Sequence, residues 1–572
     1  MKTHRTLSAS ALLLLTALAQ RGLAQCEEAK LVAGDATDDD NFGWSVSMCG
    51  NRALIGAYTD DHVAVAAGSA YVFELGPSGW SETIKLTASD AGVGDVFGVS
   101  VSLDGNTALI GAMLHDGPPG GHASGAAYVF DRSETGWVET QKLKASDGVT
   151  QDQFGEAVYI SGDTAAIAAP RNDDRGGDSG SVYIFERVGS TWVQVANLHA
   201  SDGATGDTFG NALALRGDTL VVGAPGDDDM GRDSGSAYVF ERIGGMWVQT
   251  AKLTASDGET FDYLGFSAVG ISGSTAIVGA HCDDDGGPCT GSVYVFERAG
   301  SVWGPNETVK LHAGDPQPYD EFGIAVAIDG NRIAVGADID DDRGDGSGSA
   351  YVFERGTSGW VQVAKLLAHD GALGDLFGFK VSVSGNAVLA GSHLDDDACP
   401  EDLTCNSGAA YVFRITGVAT PYCFGESCPC SNDDPVAGCA TSRGNGARLT
   451  ACGSASTAAD DLVLHTSGLP PDQFGIFYMG AGQLALSFGD GLRCVGGGGA
   501  GIFRYFPVQS SGPIGVLALG PGIVAHSQAR FPVPGRIDPG ETWNFQTWFR
   551  DPTGPCGFAF NLSNALAVTF TP

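Results

Sequence analysis

The chain has 572 residues, of which 43% are hydrophobic and only 17% are charged, so it can bury cores and does not have the composition of a disordered protein. Its formal charge of −37 at pH 7 argues against nucleic acid or an anionic membrane as a partner, because both are bound through Lys and Arg. Its 85 glycines follow no three-residue period, which excludes collagen.

The first 24 residues have the pattern of a secretory signal. Lys2 and Arg5 precede a short apolar run, and small residues offer a cleavage site after residue 24. The run is too short to span a membrane, and no later segment has 18 consecutive apolar residues. We therefore predict a secreted or cell-surface protein without a membrane span. A lipid anchor on Cys26 is disfavoured, because Gln25 stands where a small residue is expected.

All 13 cysteines follow this segment, and disulfides are their ordinary state after export. The number is odd, so at least one cysteine is free or pairs outside the chain. Cys282 and Cys289 share one loop, and Cys399 and Cys405 share another. We predict a disulfide within each of these two loops.

A repeated unit dominates the sequence up to about residue 416. A Phe-Gly or Leu-Gly pair recurs seven times, and a Gly-Ala pair or a close variant follows each one at a nearly constant distance. A Tyr-Val-Phe-like segment comes next, and six copies continue with a Trp and a Lys-Leu-x-Ala-x-Asp stretch or a close variant. The pairs begin at Phe42, Phe97, Phe154, Phe209, Leu264, Phe322 and Phe377.

Each repeat contains four short runs of alternating polarity separated by Gly-rich turns, which is typical of a β-propeller blade. The seventh copy ends after Tyr411-Val412-Phe413 without a fourth strand, whereas the chain begins with an unmatched fourth-strand ending, Lys30–Asp35. We therefore predict a seven-bladed propeller that the N-terminal strand closes. The fifth copy has one extra residue after Leu264, for which we predict a β-bulge.

These landmarks, complete in Gly223-Ala224-Pro225, resemble the FG-GAP repeats of the integrin α-chain N-terminal propeller and its bacterial relatives. The resemblance covers about residues 27–416 and implies the same all-β, seven-bladed fold. It does not extend to the integrin calcium loop, which precedes the strand that ends in Gly-Ala-Pro. Here that connection is only a tight turn, such as Ser161-Gly162-Asp163-Thr164, so no integrin calcium residue is transferred to this chain.

Two other sets of loops are acidic, and up-and-down connectivity places both on one face. Asp-x4-Asp precedes each Phe-Gly or Leu-Gly pair, and aspartates also follow the Gly-Ala landmark. Calcium binding is one interpretation, because carboxylates on loops are its usual ligands. Simple turn chemistry of Asp and Gly is the other. The candidate Ca²⁺ ligands are Asp173, Asp174, Asp178, Asp227, Asp228, Asp229, Asp233, Asp283, Asp284, Asp285, Asp340, Asp341, Asp342, Asp345, Asp395, Asp396 and Asp397.

The composition changes after the propeller. We predict a propeller over residues 25–416, a linker over 417–422 and a small Cys-rich all-β domain over 423–572. The last segment holds seven cysteines and several apolar β-runs, which favour a β-sandwich or jelly roll. Its disulfide connectivity does not follow from the sequence.

Three hypotheses for function remain. The first is a non-enzymatic recognition or adhesion protein whose acidic face binds an extracellular protein or glycan. The second is an extracellular carbohydrate-active hydrolase or lyase that uses face aspartates, and the third is a structural cell-surface spacer. Near-identical loops disfavour catalysis, because an acid and a base need a unique pair of groups with different pKa values.

Overall fold

A computed structural model describes residues 24–76, 79–116, 121–356, 359–396, 405–416, 419–425, 427–434, 437–512 and 515–572. Asp397, Cys399 and the predicted signal before Ala24 lie outside these residues. The described chain is almost entirely β-structure. Its first 29 strands form seven antiparallel sheets, which are the blades of a propeller.

In blades 1 to 6 the strands run in chain order from the centre of the ring outwards, and in blade 7 the N-terminal strand takes the outermost position. Blade 1 is β2 (Phe42–Cys49), β3 (Arg52–Ala57), β4 (Ser69–Gly76) and β5 (Gly79–Leu86). Blade 2 is β6 (Val101–Asp104), β7 (Thr107–Ala112), β8 (Ala126–Ser133) and β9 (Gly136–Leu143). Blade 3 is β10 (Val158–Ser161), β11 (Thr164–Ala169), β12 (Ser181–Val188) and β13 (Thr191–Leu198).

The later blades follow the same order. Blade 4 is β14 (Ala212–Arg216), β15 (Thr219–Ala224), β16 (Ser236–Ile243) and β17 (Met246–Leu253). Blade 5 is β18 (Val269–Ser272), β19 (Thr275–Ala280), β20 (Ser292–Ala299), β21 (Val302–Trp303) and β22 (Val309–Leu311). Blade 6 is β23 (Ala325–Asp329), β24 (Arg332–Ala337), β25 (Ser349–Gly356) and β26 (Gly359–Leu366). Blade 7 is β27 (Val381–Ser384), β28 (Ala387–Ser392), β29 (Ala409–Thr416) and β1 (Ala24–Leu31).

The Phe-Gly landmark joins neighbouring blades. Phe97 is fully buried and packs edge-on against Tyr128, with ring centroids 5.5 Å apart. Gly98 has φ +93°, and a Cβ there would lie 2.2 Å from the Ser69 carbonyl oxygen of the preceding blade. Only glycine allows this approach, because it accepts a positive φ and has no side chain. The landmark therefore marks the packing of one blade on the next.

The N-terminal strand closes the ring, as the repeat count predicts. It pairs antiparallel with β29, with Lys30 opposite Tyr411, and the pairing extends back to Ala24. Its register shifts between Glu27 and Ala29, at the position where the fourth strands of other blades also shift. At the inner strands, the Ser384 hydroxyl accepts a hydrogen bond from the Gly50 amide at 2.9 Å and so joins blade 7 to blade 1.

The prediction of a β-bulge in the inner strand of the fifth copy is wrong. Strands β18 and β19 pair without a register shift. The Gly279 amide bonds to the Ala268 carbonyl, as Gly111 bonds to Ser100 in blade 2, so the extra residue lies between Gly265 and Ala268, before the strand begins. Gly265 and Ala268 both bond to Gly279, so the insertion is taken up between these two bonds and leaves the pairing of β18 with β19 regular.

The C-terminal strands form three further sheets. They are β30 (Thr420–Tyr422), β31 (Arg448–Cys452), β32 (Val463–Ser467), β33 (Phe474–Gly480), β34 (Gly482–Phe488), β35 (Gly491–Gly496), β36 (Ile502–Arg504), β37 (Gln509–Ser510), β38 (Leu517–Leu519), β39 (Thr542–Arg550) and β40 (Phe560–Thr569). Strand β30 begins inside the segment predicted as a linker.

A shared core holds this region together, and three disulfides are found among its described residues. Leu464, Phe477 and Phe545 are among its fully buried side chains. One short helix, α1 (Ile523–Arg530), and a 3-10 turn (Val533–Gly535) cover the core. The disulfides are Cys423–Cys494, Cys428–Cys439 and Cys430–Cys556. In the described part of the chain, no helix is long and apolar enough to cross a membrane.

Candidate functional site

The acidic loops of blade 4 surround a lysine. The Nζ atom of Lys252 lies 2.9 Å from Asp202, 2.7 Å from Asp227 and 2.6 Å from Asp229. The Tyr238 hydroxyl donates a hydrogen bond of 2.8 Å to Asp227. Strand pairing produces the arrangement, because Tyr238 on β16 lies directly opposite Lys252 on β17. We call the lysine, the tyrosine and the aspartates that contact them the ion cluster of a blade.

The ion cluster recurs around the ring. In blade 2, His115 replaces the first aspartate, and Lys142 contacts both Asp90 and His115 Nε2 at 2.6 Å. The other clusters are Lys85 with Asp35, Asp60 and Tyr71; Lys310 with Asp257, Asp283, Asp285 and Tyr294; Lys365 with Asp315, Asp340, Asp342 and Tyr351; and Lys30 with Asp370, Asp395 and Tyr411.

Mutual contacts favour the charged forms of Lys252 and Asp202. Burial alone lowers the pKa of Lys252, but hydrogen bonds to Asp227, Asp229 and Asp202 outweigh it and raise that pKa above its usual value. Partial burial opposes ionisation of Asp202 as well, yet the hydrogen bond from Lys252 leaves the pKa of Asp202 below its usual value. Each cluster with a lysine therefore carries its own counterion at neutral pH.

Blade 3 replaces both the lysine and the first aspartate with asparagine. Asn197 stands at the lysine position and donates to Asp147 at 3.2 Å. Asn172 stands at the aspartate position, and its Nδ2 lies 3.4 Å from the Tyr183 hydroxyl and 3.4 Å from Asp152. One positive and one negative charge are lost together. In blade 2, by contrast, only the aspartate is replaced and Lys142 is kept.

The predicted calcium ligands divide into three roles. The first aspartates of the loops, Asp227, Asp283, Asp340 and Asp395, are buried and contact the lysine and tyrosine. The third aspartates Asp229, Asp285 and Asp342 contact the same lysines from the exposed side. The middle aspartates shape turns, because Asp173, Asp228 and Asp341 accept backbone hydrogen bonds from Asp178, Asp233 and Gly346.

The remaining predicted ligands lie in the same loops. Asp174 donates its amide to Asn172, and the carbonyl groups of Asp284 and Asp345 accept backbone hydrogen bonds. Asp396 is half-buried in the loop of blade 7, and Asp397 lies outside the described residues.

The fit of these groups to a divalent cation can be tested in blade 4. Carboxylate oxygens of Asp202, Asp227 and Asp229 lie within 4.8 Å of one another, which is close enough to share an ion. The ammonium of Lys252 lies within 2.9 Å of all three. A calcium ion fits these residues only if Lys252 moves away.

Sequence reasoning missed a second ring of contacts, which joins each blade to the one before it. The Glu139 carboxylate of blade 2 accepts hydrogen bonds from the Ser89 amide at 2.8 Å and from the Ser89 hydroxyl at 2.9 Å. Glu27 does the same for the His369 amide. The sequence contains a signal for these contacts, because a Glu or Gln stands three residues before the cluster Lys or Asn in all seven copies. These residues are Glu27, Glu82, Glu139, Gln194, Gln249, Glu307 and Gln362.

The loop cysteines follow the predicted chemistry where they are described. Cys282 and Cys289 form a disulfide that encloses the aspartate triplet of blade 5. Cys405 is disulfide-bonded, but its predicted partner Cys399 lies outside the described residues. Cys49, on the inner strand of blade 1, is a free thiol.

Comparison with known proteins identifies the family. The profile of the FG-GAP repeat matches residues 26–73, 80–130, 137–185, 192–240, 247–296, 305–353 and 360–413. The chain therefore belongs to the FG-GAP repeat family, as the landmarks predict. No curated protein matches it. Among solved structures it is similar to a chain of the "Crystal Structure of Mitotic Checkpoint Complex", with 12% identity and a TM-score of 0.41 over 72% of this chain and 99% of that one.

Proposed function

We propose that this protein is an exported, non-enzymatic recognition protein that binds an extracellular protein or glycan with the acidic loop face of its propeller. The observation that carries this proposal is the gathering of the ion clusters at one end of the ring. Their outer carboxylates remain open to solvent, with side-chain exposures of 62% for Asp229, 60% for Asp285 and 46% for Asp342. Repeated, solvent-facing charge is suited to contact with a partner.

The repetition of the clusters supports recognition rather than catalysis. Burial raises the pKa of Asp40, Asp262 and Asp320 to about 6, a value that would suit a general acid. However, each of these carboxylates accepts a backbone hydrogen bond within its own loop, such as that from Thr37 to Asp40 at 2.6 Å. The same contact recurs in the other blades, so it supports a role in loop structure.

Blade 3 is the place in the ring where we expect calcium to bind. Its cluster lacks the lysine, while Asp147, Asp152 and Asp174 still act together on Tyr183. Uncompensated carboxylates beside amide oxygens resemble the donor set that calcium prefers. We therefore expect calcium, when supplied, to bind at blade 3 before any cluster that contains a lysine.

A glycan array tests the proposal with the mature protein, with and without calcium. The face variant carries Asp229→Asn, Asp285→Asn and Asp342→Asn. The matched control changes three exposed acids in turns at the opposite end, Glu134→Gln, Asp163→Asn and Asp218→Asn. We expect the face variant to lose array binding and the control to keep it. Equal binding by both variants, or cleavage of an array glycan by the wild type, would contradict the proposal.

A further inference from the structure

A central channel of about 930 Å³ runs through the propeller, lined by the innermost strands of all seven blades. The residue that follows each Phe-Gly or Leu-Gly pair begins its strand on the acidic side, so these residues surround one mouth of the channel. The repeats are close copies elsewhere, but this position varies. The residues that reach the lining are Trp44, Val99, Glu156, Asn211, Phe266 and Phe379. The mouth is therefore the least symmetric part of the ring.

An aromatic cluster occupies the mouth between blades 7 and 1. The ring of Trp44 lies 4.8 Å from Phe379, 4.5 Å from Tyr58 and 5.0 Å from His393. Phe379 and His393 lie 4.4 Å apart. Trp44 and Phe379 also line the channel and remain partly exposed, so they offer apolar ring surface to a bound molecule.

Lys380 brings an unpaired cation to this cluster. Its Nζ lies 5.4 Å from the centre of the Phe379 ring, and among the described residues no carboxylate lies within ion-pair distance of it. In a chain with a net charge of −37, a lysine of the channel lining without an ion pair is exceptional. Burial lowers the pKa of Lys380, and the nearby charge of Asp338 raises it in part. The resulting pKa is about 8.

Two buried polar atoms beside Lys380 also lack partners among the described residues. They are Nδ1 of His393 and Oδ1 of Asp338, whose residues are 5% and 4% exposed. Burial holds the imidazole of His393 neutral by lowering its pKa to about 4. Buried polar atoms are normally hydrogen-bonded, so these two call for a water molecule or a ligand hydroxyl.

We propose that this mouth of the channel, between blades 6, 7 and 1, binds a sugar ring that carries one carboxylate. The carboxylate pairs with the ammonium of Lys380 and the ring packs against Trp44 and Phe379, whose other side is covered by His393. The exposed aspartates of the same loop face repel polyanions, so the ligand carries a single charge on the recognised residue. This inference rests on the proposed recognition function and assigns it a site and a ligand class.

Calorimetric titration with the methyl glycosides of glucuronate and galacturonate tests the proposal. The matched ligands are the uronamides, which lack the charge, the neutral hexosides, and acetate, which lacks the ring. We expect at least one uronate to bind at least about tenfold more tightly than its amide, the usual effect of a charge-assisted contact, and more tightly than acetate. Equal binding of a uronate and its amide, of a uronate and acetate, or no binding of either uronate would overturn the proposal.

Variants locate the site. Lys380→Met preserves the length of the side chain and removes a buried charge, so it should fold, and we expect it to lose uronate binding. Trp44→Ala should weaken binding. Lys144→Met, which removes a lysine outside the channel, and Phe266→Ala, which removes the corresponding aromatic of blade 5, should both bind as the wild type does. Unchanged binding by Lys380→Met would overturn the site.

The pH dependence gives an independent measurement. Asp338, whose pKa burial raises to about 7, and Lys380, with a pKa of about 8, both lose a proton as the pH rises. Glu321 adds negative charge near Asp338, and His393 stays neutral. We therefore expect uronate affinity to fall between pH 6 and pH 9, and a flat profile would contradict the assignment. If the array still binds through the acidic face while Lys380→Met changes nothing, the recognition function stands and only this inference fails.

Discussion

Lys30, in the first strand, and Asp395, which lies 365 residues later, form an ion pair of 2.9 Å. The pair reproduces the contact between Lys252 and Asp227 inside blade 4. Asp395 is 2% exposed and Lys30 approaches it from the N-terminal strand, so the ring is closed by buried charge as well as by backbone pairing.

The first prediction concerns this closure. Lys30→Met should lower the free energy of unfolding by about 3 kcal/mol, because it leaves Asp395 buried without its cation. Deletion of residues 26–36 should lower it further by removing the strand. Lys144→Met is the control, since it removes a lysine of blade 2 that lies far from the closing strand. A denaturant titration in which Lys30→Met and Lys144→Met behave alike would contradict this role for the ion pair.

The second prediction uses blade 3 as a natural template for blade 4. Asp227→Asn and Lys252→Asn should each destabilise the protein, because the first removes the buried partner of Lys252 and the second leaves buried Asp227 without its cation. The double variant copies Asn172 and Asn197 and should be more stable than the sum of the single effects predicts, with a coupling energy above about 1 kcal/mol. Thermal unfolding of the four proteins in this cycle measures the coupling. Strict additivity would show that the two residues act independently.

The third prediction is a pH dependence at the closing strand. The hydrogen bond that His369 donates to the Glu27 carboxylate raises the pKa of His369 despite partial burial, and Asp370 adds to the effect while Lys30 opposes it. A raised pKa in the folded state means that this stabilisation is complete below the unfolded pKa and is lost as the pH rises through the folded value. We therefore expect the melting temperature to fall more between pH 6 and pH 8 in the wild type than in His369→Gln. Parallel curves for the two proteins would exclude the contribution.

The fourth prediction concerns the loop disulfide of blade 5. Replacing Cys282 and Cys289 with serine should destabilise this loop by about 2 kcal/mol, since the bond closes only a short loop. Hydrogen exchange should speed up at Asp283–Asp285 and remain unchanged in blade 4, whose loop has no cysteine. Faster exchange throughout the propeller would show that the disulfide has a global role.

The fifth prediction separates calcium from turn chemistry. If calcium binds at blade 3, Asp147→Asn should reduce the binding heat, whereas Asp229→Asn in blade 4 should not. The pair Asn172→Asp and Asn197→Lys would install the ion cluster of the other blades and should abolish binding. Calorimetry with calcium on these proteins gives the answer. Absence of binding heat in the wild type would leave the acidic loops as turns with internal counterions.

The repeated landmarks made the fold predictable. The unmatched ending at Lys30 showed which strand type was missing from the seventh copy, and strand counting then required closure. The bulge predicted for the fifth copy failed because sequence spacing does not say whether an insertion enters a paired strand or the segment before it. The connectivity of Cys423, Cys428 and Cys430 depended on folding in three dimensions and could not be read from their spacing.

The acidic loops were located correctly, but their counterions were not foreseen. In blades 1, 4, 5 and 6 the cluster lysine follows the first aspartate of its loop by about 25 residues. In blade 4 the antiparallel pairing of Tyr238 with Lys252 brings the charges together. The recurring spacing of Lys relative to Asp within these repeats indicates that the two residues lie close together in the fold. The substitution of both positions in blade 3, by Asn172 and Asn197, was also visible in the sequence.

The units of sequence and structure are out of phase. The first match to the repeat family begins in β1 and ends in β4, and the second begins in β5 and ends in β8, so each copy supplies the outer strand of one blade and three strands of the next. Tandem duplication of such a unit never inserts a finished blade at one point. It adds the outer strand of one existing blade and the three inner strands of the next. Gain or loss of one copy therefore changes the number of blades, while the pairing of β1 with β29 is preserved.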